Sequence, residues 1–121
     1  PSEELNWLQE DLERVPANKP IIVFCHYPIG IFREMPRIDN EGELLEVFRG
    51  HNLIATFSGD AHYGGYRELY SVHNICLHSM GWWEWDKITG SYAKIIVTLK
   101  KIVVHGKGAQ PSYFLKVKDL Y

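Results

Sequence analysis

Two short runs of continuously apolar, mostly β-branched residues do most to limit what this chain can fold into: Ile21-Ile22-Val23-Phe24-Cys25 and Leu53-Ile54-Ala55-Thr56-Phe57. They lack the alternation of a half-exposed strand and are too short for a helix, so each reads as a strand covered on both faces of a sheet. Between them, Glu43 to Arg49 carries Leu44, Leu45, Val47 and Phe48 at helical spacing, and Gly50 follows as a left-handed cap. Strand, helix, strand in this order is a βαβ crossover, whose two strands run parallel and finish on one edge of the sheet.

The flanking segments are of different kinds. Ser2, followed by Glu3, Glu4, Leu5, Trp7, Leu8, Leu12 and Val15, reads as an N-capped amphipathic helix with an acidic first turn, ended by Pro16. Past the second strand, the runs Tyr66 to Tyr70, His73 to Leu77, Tyr92 to Leu99 and Ile102 to His105 are short β-type stretches with turn-length gaps, Lys100-Lys101 among them. They predict an antiparallel meander or hairpins. The fold class is therefore α/β: a partial βαβ sheet with helices on one face, plus antiparallel strands.

Composition excludes several functions. With 13 Lys and Arg against 15 Asp and Glu the net charge is -2, which offers no basic field to a nucleic-acid backbone. No stretch nears the roughly 18 to 20 apolar residues needed to span a bilayer, so no membrane role is expected. At 121 residues and 45% apolar content the chain makes one small domain, residues 1–121. It starts without Met and directly on a helix signal, which is expected of a piece of something longer. Cys25 and Cys76 lie in apolar runs and read as free thiols of a reducing compartment, a vote for the cytoplasm.

Chemistry concentrates where the two strands end. His26 closes the first run and Ser58-Gly59-Asp60-Ala61-His62 closes the second. A lone histidine there is more often a polar stopper than a ligand, and an ordinary Asx-type turn is the lesser alternative for Asp60. The same arrangement occurring twice, at ends that the βαβ unit brings to one edge, favours a divalent-cation site, since imidazole nitrogen and carboxylate oxygen converging from rigid elements are suitable donors. Gly59 frees the backbone for the turn, and the paired glycines Gly64-Gly65 would let backbone and substrate approach closely. Tyr27 and Tyr63 adjoin the candidate ligands and could line a substrate groove. Five residues apart, His73 and His78 should face opposite ways, with His78 the better candidate for a substrate contact. His51 and His105 read as structural and surface residues. Trp82, Trp83 and Trp85 could stack on a nucleotide base, although clustered Trp more often packs against the fold.

His26-Tyr27-Pro28, followed after a helix and a strand by Ser58-Gly59-Asp60-Ala61-His62-Tyr63-Gly64-Gly65-Tyr66, resembles the last two signature blocks of the calcineurin-like metallophosphoesterases. Val72-His73 and the tail Lys101-Ile102-Val103-Val104-His105-Gly106-Lys107-Gly108 with Pro111 resemble the subgroup related to manganese-dependent ADP-ribose/CDP-alcohol diphosphatases. The resemblance implies the C-terminal half of a four-layer sandwich, a binuclear centre of divalent metal (Mn, Fe, Zn or Mg), and hydrolysis of a phosphoester or nucleotide substrate. By position, His26 and His62 match ligands, and Asp60 stands where that family has His. The family's earlier blocks, Asp-x-His, Gly-Asp and Gly-Asn-His, have no counterpart in this chain, so no catalytic residue is assigned and little turnover is expected from the chain alone. A half-sandwich also predicts self-association, or pairing with a missing N-terminal half. The competing expectation is a degenerate, non-catalytic module that acts in protein-protein interaction.

Overall fold

The computed structural model describes residues 2–31, 38–81 and 90–118. Trp82, Trp83 and Trp85 lie outside the described residues. The chain opens with α1 (Glu3–Leu12), which Ser2 caps: its side chain accepts from the Leu5 amide at 3.4 Å. The helix stops at Leu12, short of the expected Val15. Then come β1 (Pro20–Phe24), α2 (Glu41–Val47) and β2 (Asn52–Ser58). Gly50, past the end of α2, takes the left-handed conformation anticipated for it, φ 83°.

β1 and β2 pair in parallel, as the crossover requires. Ile21 sits opposite Leu53 and Ile22 opposite Ala55, so Ile54 is an extra residue on β2 and forms a bulge. The two strands differ in cover, which corrects the expectation that both are buried on both faces. β2 is buried from Ile54 to Ser58, with Phe57 at 2% exposure. β1 lies at the margin of the sheet, and Phe24 is 71% exposed although its ring stacks on Phe57 at 5.5 Å. A run of apolar residues records that a strand is apolar, and its neighbours decide whether it is covered.

β3 (Gly65–Leu69) and β4 (Val72–Cys76) form the expected antiparallel hairpin. Its two-residue turn has both Tyr70 and Ser71 at positive φ, 51° and 67°, the twist that a right-handed hairpin prefers. β4 also pairs with β2, and in parallel, which the expectation of hairpins alone did not include. The sheet order is β1-β2-β4-β3, so three parallel strands end on the same edge.

A second sheet holds β5 (Tyr92–Val97), β6 (Lys101–Lys107) and β7 (Tyr113–Lys116) as an antiparallel meander. Thr98 closes the β5–β6 turn by accepting the Lys100 and Lys101 amides. β7 has no counterpart in the sequence reading, because four residues are too few to display a period. Ile54, Ala55, Phe57 and Ile75 of the first sheet meet Ile102, Val104 and Leu115 of the second in one core.

The opposite face of the first sheet is more polar, with Thr56 donating to Asn74 Oδ1 at 2.8 Å. A cavity of about 620 Å³ lies there between α2 and the sheet, lined by Leu45, Phe48, His51, Val72 and Asn74 among others, and no candidate site residue reaches it. Among the described residues no helix is long and apolar enough to cross a membrane.

Candidate metal centre at the strand-end edge

The loops after β1 and β2 are tied together by backbone hydrogen bonds before any side chain contributes. Cys25 donates its amide to Phe57 O at 3.0 Å and Gly59 donates to His26 O at 2.9 Å, so the strand pairing continues one step past each strand. That register places His26 beside Asp60, with Nε2 3.2 Å from Oδ1. The imidazole is 71% exposed and the carboxylate 29%, so the pair faces outward from a firm base.

The turn departs from expectation in one respect. Gly59 was to supply the unusual backbone, yet Asp60 is the residue in the left-handed region, at φ 61°. Ala61 donates to Gly59 O at 2.7 Å, an i to i+2 bond that closes a γ-turn around Asp60. Positive-φ γ-turns are rare and strained, and Asp tolerates that region better than most residues.

The remaining candidates fall around this pair. Tyr27 sets its ring edge-on to His26, centroids 5.0 Å apart, and stays exposed, as does Tyr63. His62 is half-buried two residues past Asp60, and its carbonyl accepts the Ser79 amide at 3.0 Å. Gly64 has a clear structural duty: it sits at φ 62°, and a Cβ there would overlap the His78 imidazole and lie 2.8 Å from Cys76 O. The His78 amide is held by the Gln110 side chain at 2.8 Å, while its Nδ1 is buried with no hydrogen-bond partner among the described residues. Gln110, itself buried, had no mark in the sequence to single it out.

His73 does not belong to this edge. It is buried between the sheets, its Nε2 2.8 Å from Lys116 O and its Nδ1 3.0 Å from the Tyr66 hydroxyl. His78 lies beyond the end of β4, so strand alternation does not govern how these two histidines face. His105 is exposed and packs edge-on against Phe114, as expected of a surface residue.

Cys25 and Cys76 are both free, and both thiols are held above their ordinary pKa of 9.0, first by burial. For Cys25 the nearby Cys76 adds to the rise. For Cys76 hydrogen bonds with Ser58 and Ala61 pull the other way, and Asp60 pushes up again. Neither thiol is set up as a nucleophile, because a raised pKa leaves little thiolate near neutral pH.

As a donor set, an accessible imidazole nitrogen and a carboxylate oxygen suit a borderline or hard divalent cation. Among the described residues no group of three or more His, Cys, Asp or Glu side chains is arranged to hold a metal ion. The edge therefore presents a two-donor foothold, on which a cation would fill its shell with water or with further donors.

Known proteins resemble this architecture more than they resemble this sequence. A dimetal phosphatase from Danio rerio superposes over 97% of the chain with a TM-score of 0.79, at 21% sequence identity. The fold is, in part, that of a dimetal phosphatase. The chain spans 38% of that protein's length, and at this identity the likeness is one of fold. The sequence matches no family model. It matches no curated protein sequence. In this dimetal-phosphatase-like fold His26 and Asp60 occupy the edge where three parallel strands end, the usual place for ligands in open α/β sheets.

Proposed function

We propose that this chain is the metal-holding C-terminal part of a divalent-metal-dependent phosphoesterase acting on a phosphoester or pyrophosphate, with the nucleotide diphosphatases related to manganese-dependent ADP-ribose/CDP-alcohol diphosphatases as the nearest subgroup. The observation that carries this is the approach of His26 Nε2 to Asp60 Oδ1, 3.2 Å, across two parallel strand ends in a dimetal-phosphatase-like fold. His26 and Asp60 hold the cation, and His62, two residues on, is the third ligand once the remaining donors are in place. Bound Mn²⁺, Fe, Zn²⁺ or Mg²⁺ in a pair would polarise the phosphoryl oxygens and lower the pKa of a bound water. Tyr27 and Tyr63 flank the phosphoryl group, Gly64 keeps the backbone narrow, and His78 is the substrate contact at the end of β4. The remaining ligands come from a segment that pairs with this one, or from a second copy of the chain, in the cytoplasm where Cys25 and Cys76 stay reduced.

Calorimetric titration with Mn²⁺ tests the reading. Binding tighter than about millimolar that vanishes in His26→Ala supports it, because even a partial site with nitrogen and oxygen donors holds a divalent ion. Turnover of p-nitrophenyl phosphate esters by the chain alone should be negligible; measurable hydrolysis would overturn the claim that ligands are missing.

A second reading has its own observation in favour. The described residues assemble no three-donor group, as in a module that kept the fold and lost the chemistry for a role in protein-protein interaction. It predicts no Mn²⁺ binding in the same titration.

A further inference from the structure

Asp60 is the strained residue of the molecule's best candidate site, and backbone strain of this kind persists only where the surroundings over-determine it. Its own turn supplies one bond, from the Ala61 amide to Gly59 O. The two flanking carbonyls each accept a backbone amide, Gly59 O from Ala61 and Ala61 O from Gly64, and both also lie near one buried side chain. Cys76, the last residue of β4 and 1% exposed, lies under both: Sγ is 3.0 Å from Gly59 O and 3.5 Å from Ala61 O.

We infer that Cys76 is a positioning residue whose thiol clamps the γ-turn from below and so keeps the Asp60 carboxylate beside His26. The S–H group has one proton and three carbonyl oxygens within reach, Gly59 at 3.0 Å, Ala61 at 3.5 Å and Leu77 at 4.0 Å, so the two turn carbonyls are the nearer acceptors. Cysteine fits here because sulfur is small enough to lie beneath a turn and, unlike Ala, brings a donor. The turn is otherwise held by backbone bonds in the loops, the Gly59 amide on His26 O at 2.9 Å and the Gly64 amide on Ala61 O at 2.8 Å, neither of which comes from the strand beneath it. Cys76 is opposite Gly65 in the β3–β4 ladder, so the clamp is anchored by a strand in the middle of the sheet.

The proposal rests on the reading of Asp60 as a ligand for its functional consequence, but the clamp itself can be observed separately. Two variants decide it, Cys76→Ala and Cys76→Ser, each measured for amide hydrogen exchange at Ala61 by NMR and for Mn²⁺ affinity by calorimetry. In Cys76→Ala the Ala61 amide should exchange about tenfold faster or more, and Mn²⁺ should bind about tenfold more weakly, the scale of losing a residue that orients a ligand. Cys76→Ser, which keeps a donor of similar size, should restore both to within about threefold. A merely space-filling role predicts that Ser rescues no better than Ala, and that result overturns the proposal. So does Cys76→Ala with unchanged Ala61 exchange. If the unaltered chain binds no Mn²⁺, the metal reading fails, and the exchange data alone pass judgement on the clamp.

Discussion

Two histidines, His26 and His73, show how differently one residue type is used in a small fold. His73 lies in the seam between the sheets with both ring nitrogens paired, to Tyr66 and to the Lys116 carbonyl, and it is part of what holds the sheets together. His26 stands at the sheet margin with most of its ring in solvent, against the carboxylate of Asp60, whose backbone is at positive φ. The seam histidine is a structural cross-link; the edge histidine contributes little to holding the fold and is available to a ligand.

The comparison breaks most visibly in stability. His73→Ala should cost about 2 to 4 kcal/mol in urea unfolding, since it opens a cavity and leaves the Lys116 carbonyl and the Tyr66 hydroxyl unpaired. His26→Ala should move the same midpoint by no more than about 0.5 kcal/mol, as surface changes do. Equal costs at the two positions would erase the distinction.

Metal should reverse the order. With Mn²⁺ at about 100 times its dissociation constant, the unaltered chain and His73→Ala should each gain about 2.7 kcal/mol, and His26→Ala none. Thermal melts with and without Mn²⁺ read this directly. A gain retained by His26→Ala would place the ion elsewhere.

Smaller effects sharpen the picture at each site. Tyr66→Phe removes the hydroxyl on His73 and should cost about 1 kcal/mol by urea unfolding. Asp60→Gly should raise stability by about 0.5 to 1 kcal/mol, because glycine relieves the positive φ, while it weakens Mn²⁺ binding. Loss of stability in that variant would mean that the carboxylate supports the fold rather than the site.

The alkaline limb of stability belongs to the seam and its neighbours. Burial, then Glu68 and Tyr113, holds the Tyr66 hydroxyl above its ordinary 10.0, and burial, then Cys76, does the same for Tyr113. Cys25 and Cys76 are likewise raised from 9.0. A folded-state pKa above the unfolded value means that the native chain keeps its proton when the unfolded chain has lost it. The associated stability is complete below pH 9, and it is lost as pH climbs through the native values. Urea midpoints should therefore hold up to about pH 9 and fall above it, and Tyr66→Phe should fall less steeply.

Much of this was legible in the sequence because its signals are local. The βαβ unit showed in two apolar runs and one helical spacing, and the capping of α1 showed in Ser2 with its acidic turn. The strand-end placement of His26 and Asp60 followed from the crossover alone. What stayed hidden depends on neighbours distant in sequence. Phe24 reads as core and is exposed because no strand flanks β1 on its outer side among the described residues. The parallel pairing of β4 with β2 is set by which strand fills the middle of the sheet, and a hairpin signature is blind to that. The γ-turn fell one residue past the glycine offered for it, and the sulfur beneath it belongs to a strand sixteen residues further on.

The marginal position of β1 also bears on the chemistry next to it. An unpaired strand edge is a template that accepts another backbone with little regard to side chains. Because His26 follows β1 directly, a strand laid parallel along that edge would end about 4.8 Å to one side of it, and its last residues would join the same small volume as His26 and Asp60. If His26 and Asp60 are ligands as proposed, recruiting a strand and adding donors are then one event, at the edge of β1 that no strand covers among the described residues.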